Sequence, residues 1–516
     1  MASLIITTVG TMTTLHSPTR ARTALLTVAA STAALLTAPL PQAVADPCTT
    51  YQAAAHADRA RLRALGQNPS GSNSLSSGSS DAYDAAAEWP EDVRDSGQLS
   101  AGRNSPPWLR GKPGQLPVLR GHTEALHLLT GPGSPQRTHE RFGIGGTDLG
   151  ISFTDARGRM YFAFGDTMRC GGDLGWRSNV LLRTTDNNPA DGIDDLQAWA
   201  PGGFRDSGYA GQFIPSLKDP GVEHTTIPTA GIAIGDTLYV DYMSVRSWGQ
   251  PGEWVTNYAA TMASTDGGTT WHRVEDSLRP NTTVGTPYGV GRHRGRAGEE
   301  RTQQSALVAR DGYVYRYSTP SGRAGDAILA RFPEAQFPRE DAAEFFVNGT
   351  WEATTPDRAS AVFDAPVSEM SVTFNEHLQQ YTAMYYSHGG MVLRMARHPQ
   401  GPWSAPRVVV DEGTIPDLYG AFQLPSVDGN HLYFVATTWS NYNVMVMRTD
   451  LQQLYATPDP QARTRMAVPK SQGAATYNPR VDDGLSVERW VSYADDGTPS
   501  DVADYPGADT RSTHAQ

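Results

Sequence analysis

From residue 147 to residue 448 the chain repeats one pattern: a short apolar run, a polar turn, then a second apolar or aromatic run. The copies are 147–153 turning at 156–159 into 160–164; 229–234 turning at Gly235 and Asp236 into 238–242; and 305–309 turning at Asp311 and Gly312 into 313–317. Two more are 369–374 turning at Asn375 and Glu376 into 380–386, and 420–425 turning at Asp428, Gly429 and Asn430 into 432–436. Apolar runs of this length around Asp-Gly or Gly-Asn pairs predict hairpins, because those residues accept the positive φ of tight turns. Each hairpin is followed by a further strand-like run, at 180–183, 258–264, 327–332, 391–397 and 444–448. A hairpin plus a second strand pair makes a four-stranded blade. Five copies predict an all-β fold, a five-bladed β-propeller. Equivalent tyrosines (Tyr161, Tyr239, Tyr315, Tyr381 and Tyr433) recur at intervals of 78, 76, 66 and 52 residues, so the loops between strands are long. A β-sandwich does not repeat such a unit with this regularity.

Ser264, Asp266, Gly268, Thr270 and Trp271 fit S-x-D-x-G-x-T-W, the Asp-box turn of sialidase-type blades. Its logic is structural: the carboxylate accepts backbone N–H groups and the tryptophan packs on the blade. Pro402, Trp403 and Pro406 resemble an inter-blade connector.

The flanks read differently. Residues 1–45 have the parts of an export signal in order: Arg20 and Arg22, an apolar run at 24–38, and the small residues Ala43, Val44 and Ala45 before a cleavage point. The apolar run is too short for a membrane span, so no membrane insertion is expected after cleavage, and the mature protein is expected outside the cell or in its envelope. Residues 46–66 predict a short helical segment, 67–117 a disordered linker, 118–456 the propeller, and 457–516 a partly disordered C-terminal extension. The two cysteines, Cys48 and Cys170, both follow the cleavage point and meet an oxidising compartment, where one disulfide between them is the expectation and two separate thiols the alternative.

Charge narrows the partners. The 516-residue chain has a formal net charge of −12, which argues against nucleic acid and against an anionic membrane surface. A neutral polysaccharide is compatible with it, and a monomer is expected. No nucleotide-binding or nucleophile-elbow motif occurs, and no paired Cys or His spacing for zinc. No cofactor is required by the chemistry considered next; a structural Ca2+ in the propeller channel is allowed for.

Glycoside hydrolysis uses two carboxyl groups flanking the scissile bond, one of them with a raised pKa. Asp148 opens the innermost strand of the first blade, and Asp166 follows the returning strand, 18 positions on. The start of one hairpin strand and the end of the next lie side by side, so the two should be neighbours. Glu369 opens the inner strand of the fourth repeat and is a reserve acid. Glu223 and His224, and Glu299, Glu300 and Arg301, precede other inner strands and fit ordinary structural roles better. Trp176, Arg177, Asn179, Arg246, Trp439, Asn441 and Tyr442, with Trp248 and Tyr419, are the candidate sugar-binding residues: aromatic faces stack on sugar rings, and Arg and Asn bond hydroxyls.

The run 129–134, then Gly146-Thr147-Asp148-Leu149-Gly150, Phe164-Gly165-Asp166-Thr167 and Trp176-Arg177-Ser178-Asn179, resembles a bacterial family first catalogued as domain of unknown function 4185. Ile227-Pro228-Thr229, the run 242–246 and the run 439–444 extend the resemblance over about residues 129–451. The resemblance implies a five-bladed propeller and an endo-D-arabinanase, a glycoside hydrolase cutting the D-arabinan of mycobacterial arabinogalactan and lipoarabinomannan. It also implies a catalytic pair of aspartates, carried over to Asp148 and Asp166. The alternatives are an L-arabinanase or sialidase on the same scaffold, and a non-catalytic carbohydrate-binding propeller.

Overall fold

The computed structural model describes residues 114–168, 175–285, 287–439, 442–457, 484–493 and 499–502. The expected signal peptide and helical segment, nearly all of the linker, Cys48, Cys170 and Asn441 lie outside these residues. The chain enters through β1 (Gly114–Arg120) and β2 (Thr123–Leu128). The boundary expected at residue 117 therefore falls inside a strand.

Five antiparallel blades follow. Blade one runs β3 (Leu149–Thr154), β4 (Met160–Phe164), β5 (Val180–Thr184), β6 (Gln197–Ala200) and β7 (Gly203–Arg205). Blade two is β8 (Thr225–Ile234), β9 (Thr237–Trp248), β10 (Trp254–Ser264) and β11 (His272–Pro280). Blade three is β12 (Gln304–Arg310), β13 (Tyr313–Thr319), β14 (Ala327–Pro333), β15 (Glu344–Val347) and β16 (Thr350–Glu352), with β17 (Ala361–Phe363) also pairing β14. Blade four is β18 (Met370–Asn375), β19 (Gln380–Ser387), β20 (Gly390–Ala396) and β21 (Arg407–Asp411). Blade five takes β22 (Leu418–Gln423), β23 (His431–Thr438) and β24 (Val444–Asp450) from the C-terminal side, and β2 supplies its outermost strand. The fold is thus an all-β five-bladed propeller, closed by a strand from before the first blade. Each inner strand touches the next in the order β3, β8, β12, β18, β22 and back to β3. Outside the ring, β25 (Ser486–Tyr493) pairs β1 and β26 (Pro499–Val502) extends that small sheet.

The core lies within and between blades, because several strands bury both faces. The pattern is near-continuous: all five residues of β4 and all six of β22 are buried. Blades one and two meet where a Cβ on Gly231 would lie 2.1 Å from Phe153, so only glycine lets that ring sit against β8. Blades two and three are joined by buried charge. Arg279 reaches Asp241 and Glu340, both at 3.1 Å. Glu340 also receives the Arg316 guanidinium and Arg296 Nη2, the latter at 3.0 Å. Burial opposes its ionisation, but the three arginines prevail and hold its carboxyl at about 2.

The turns behave as their residues dictate. In the Asp-box, Asp266 Oδ1 accepts the Thr270 N–H at 2.9 Å and the Ser264 O–H at 2.8 Å, and the Trp271 indole donates to the Gly268 carbonyl at 2.9 Å. This turn joins β10 to β11 and is a structural clasp. Among the described residues no helix is long and apolar enough to cross a membrane.

Candidate active site

Asp148 and Asp166 meet at the rim where β3 begins and β4 ends. The segments flanking them are laced together: Met168 N–H donates to Gly146 O at 2.7 Å, and the hydroxyls of Thr147 and Thr167 lie 2.6 Å apart. Gly165 N–H donates to Asp148 O at 3.2 Å, which places Asp148 opposite the residue before Asp166. The backbone just past Asp148 is unusual. Leu149 has φ 69° and Gly150 φ 85°, and the β3–β4 register slips between Leu149 and Ile151. A left-handed leucine costs of order 1 kcal/mol or more, and such strain gathers at sites where a side chain must be aimed.

Asp148 and Asp166 are half-buried residues ringed by protein. Asp148 Oδ2 accepts the Tyr419 phenol O–H at 3.0 Å, while Oδ1 is buried with no partner among the described residues. Burial first, then the charges of Asp166 and Glu369, push its carboxyl up to about 8, although the Tyr419 and Tyr442 phenols pull the other way. Asp166 Oδ1 accepts the Trp176 indole N–H at 2.7 Å and the Thr225 O–H at 2.8 Å. Burial raises it as well, but those two donors and the Lys218 ammonium restrain the rise to about 6. Two chemically identical groups therefore differ in proton affinity because one has more donors and a nearby cation.

Glu369 reaches the same rim, at the head of β18, but its surroundings do not suit the reserve acid expected there. Arg323 grips it through Nη2 at 2.8 Å and Nε at 3.1 Å. Burial disfavours its charge, yet Arg323 overcomes this and keeps the carboxyl below its ordinary value. It stands as a fixed anion. Arg323 also lies 4.9 Å from the Tyr419 ring centroid, so Glu369, Arg323, Tyr419 and Asp148 form one connected line.

Trp176 and Trp439, both partly exposed, pack on Met168 and Tyr442 and so wall the carboxylates. Trp176 faces His224 at 5.3 Å, and Trp439 meets Tyr442 edge-on at 5.3 Å. Tyr442 is buried, left-handed at φ 48°, and hydrogen-bonded to Asp148, so it orients that aspartate from below the surface. Arg246 lies towards the end of β9, its carbonyl accepting the Gly221 N–H at 3.1 Å.

Two expectations are corrected. Arg177 does not face a sugar: it is 2% exposed and donates to the carbonyls of Ala210 at 2.8 Å and Gly143 at 2.6 Å, with Tyr209 stacked at 4.1 Å. Asn179 is fully buried, donating to Ile214 O and Thr226 O and accepting the N–H groups of Phe213 and Ile214. Both are framework groups that satisfy backbone atoms of the loop 208–216 and of Gly143 and Thr226, which would otherwise be buried unpaired. Glu299 and Arg301 are likewise structural, paired with Arg296 and Asp326. Among the described residues no three His, Cys, Asp or Glu side chains converge as a donor set for Ca2+.

Sequence reasoning missed Thr225, Lys218, Arg323 and Gly165. Thr225 heads inner strand β8, a signal of the same kind that found Asp148. Gly165 matters for its missing side chain: a Cβ there would lie 2.4 Å from Asp148 Oδ1. Lys218 had a compositional signal, since the chain's other lysines are only Lys112 and Lys470.

Residues 133–448 match the family described as domain of unknown function DUF4185. Notoamide biosynthesis cluster protein J of Aspergillus sp. (strain MF297-2) is 28% identical over 345 residues, covering 62% of this chain and 86% of the relative. Its counterpart, protein J' of Aspergillus versicolor, is 28% identical over 360 residues, covering 62% and 92%. Among solved structures, a glycosyl hydrolase from Bacteroides ovatus is similar with a TM-score of 0.38 and 9% identity, over 64% of this chain and 94% of that one.

Proposed function

This chain belongs to the family of the domain of unknown function DUF4185, and we propose that it is a glycoside hydrolase whose acid is Asp148 and whose base is Asp166. The observation that carries this reading is the split pair. At neutral pH a carboxyl near 8 keeps its proton and one near 6 has lost it. Asp148 then protonates the departing glycosidic oxygen as the C–O bond breaks. Asp166 takes a proton from the attacking water in an inverting reaction, or attacks the anomeric carbon itself in a retaining one. NMR of the first-formed anomer distinguishes these. Tyr419 and Tyr442 orient the acid, and Trp176 and Thr225 orient the base. The Trp176 and Trp439 faces supply apolar surface of the kind sugar rings stack on.

For the substrate we propose internal α-D-arabinofuranosyl linkages of mycobacterial-type arabinan, as in arabinogalactan and lipoarabinomannan. The support is the resemblance of the runs around Asp148, Asp166, Trp176 and Trp439 to endo-D-arabinanases. The test is chromatography of products from purified mycobacterial arabinogalactan. Wild type should release short arabino-oligosaccharides, and Asp148→Asn and Asp166→Asn should release at least about 10²-fold less, as expected when a general acid or base is lost. A folded wild type that binds arabinan without cleaving it would instead be a carbohydrate-binding propeller.

A further inference from the structure

Lys218 is the one lysine among the described residues, and its backbone is left-handed at φ 57°, a conformation disfavoured by any residue with a Cβ. Its ammonium donates to the Trp176 carbonyl at 2.6 Å and lies 5.2 Å from the Trp176 ring centroid. Trp176 in turn donates its indole N–H to Asp166. Lys218 thus acts on Asp166 twice, as a nearby cation and through the side chain that orients the carboxylate.

A buried carboxyl group fixes the segment that carries it. Glu223 is fully buried; Oε1 accepts the Leu217 N–H at 3.0 Å and Oε2 accepts the Ser244 O–H at 2.7 Å. Asn257 steadies the other side, donating to Ser244 Oγ at 3.1 Å and to the Val222 carbonyl at 2.7 Å. The intervening loop closes on itself, with Asp219 and Glu223 exchanging backbone hydrogen bonds of 2.8 and 2.9 Å. Two residues beyond Glu223, Thr225 donates to Asp166. The groups acting on Glu223 are Arg273 and the phenols of Tyr242, Tyr258 and Tyr288; those acting on Asp166 are Lys218, Asp148 and Tyr442. Neither Asp148 nor Asp166 is among the partners of Glu223.

We propose that Glu223 is a positioning residue, which through the Leu217 N–H fixes Lys218 against Trp176 and beside Asp166. The functional meaning rests on the reading of Asp166 as the base: the clamp keeps that carboxylate ionised where the acid is still protonated. The readout needs no substrate. The Trp176 indole N–H is bonded to Asp166, so in protein carrying 15N-tryptophan its resonance, one of 11 and assigned by its loss in Trp176→Phe, reports the protonation of Asp166 as pH is varied.

In wild type the midpoint should fall near 6. Lys218→Met should raise it about tenfold in proton affinity, since a cation close to a desolvated carboxylate shifts it by one unit or more. Glu223→Met, similar in size but without an acceptor, should move it the same way by a smaller amount. Glu223→Gln, which keeps an oxygen for the Leu217 N–H, should restore it. An unmoved midpoint in Lys218→Met, or in a folded Glu223→Met, overturns the proposal. Should Glu223→Met not fold, an unmoved Lys218→Met midpoint overturns it alone. A wild type without activity on arabinan would sink the functional reading and leave these titrations standing.

Discussion

Gly165 matters because of what it lacks. Asp148 lies over it, with Oδ1 placed where any Cβ would be only 2.4 Å away. Gly165→Ala must therefore displace the proposed acid, and a shift of about 1 Å in a reacting group can lower rate about 10²-fold. The expected outcome is a folded variant whose kcat falls by about that factor while KM changes little, measured by steady-state kinetics on arabinogalactan. An unchanged kcat would mean that Asp148 need not be held where the structure holds it. At this scale the sequence was legible in part. That Asp148 and Asp166 are neighbours could be read because hairpin geometry alone brings the start of one strand beside the end of the next. Arg177 and Asn179 misled because polarity in a motif does not reveal depth: both turn inward to satisfy carbonyls of a loop far along the chain. Arg323 is 46 positions from the glutamate it neutralises, a pairing made only when the third and fourth blades pack side by side.

The hairpins were the most readable elements. Apolar runs and Asp-Gly turns depend only on neighbours in sequence, and β4, β5, β14 and β24 fall within two residues of their expected bounds. The added strands β6, β7 and β15 to β17 are three or four residues long and carry too little periodicity to stand out. What holds one blade to the next was less legible still. The buried cluster of Arg279, Asp241, Glu340, Arg316 and Arg296 spans 100 positions, from 241 to 340, and its charges resemble solvated ones until the blades meet. Removing one partner of such a cluster leaves buried charges uncompensated, at a cost of about 3–5 kcal/mol. Glu340→Gln should therefore be destabilised by about that much near neutrality in urea unfolding. Glu340 has its carboxyl depressed from 4.5 to about 2, so its contribution is complete above about pH 4.5 and is lost as pH falls towards 2. The gap between variant and wild type should narrow over that same range. A gap that stayed constant on acidification would remove the ionised glutamate from the account.

On the scale of the whole molecule the ring is closed by β2, which precedes the first blade and pairs with β24 across more than 300 positions. No local pattern announces that pairing; it follows from the fifth blade having only three strands of its own and an exposed edge to cover. Closure is also what builds the site, since β22 delivers Tyr419 to Asp148, just before β3, only when the last blade meets the first. The central proposal is that a single rim holds an acid, Asp148, and a base, Asp166, whose proton affinities are driven apart. The most direct test is the pH dependence of kcat/KM on arabinogalactan for wild type and for Asp148→Asn. Activity requires Asp166 ionised and Asp148 protonated, so wild type should give a bell with limbs near 6 and near 8, read as values of the coupled pair. The residual activity of Asp148→Asn should lose the alkaline limb and keep the acidic one. An Asp148→Asn variant that retains the alkaline limb, or a wild-type profile flat between pH 6 and 8, would contradict the assignment.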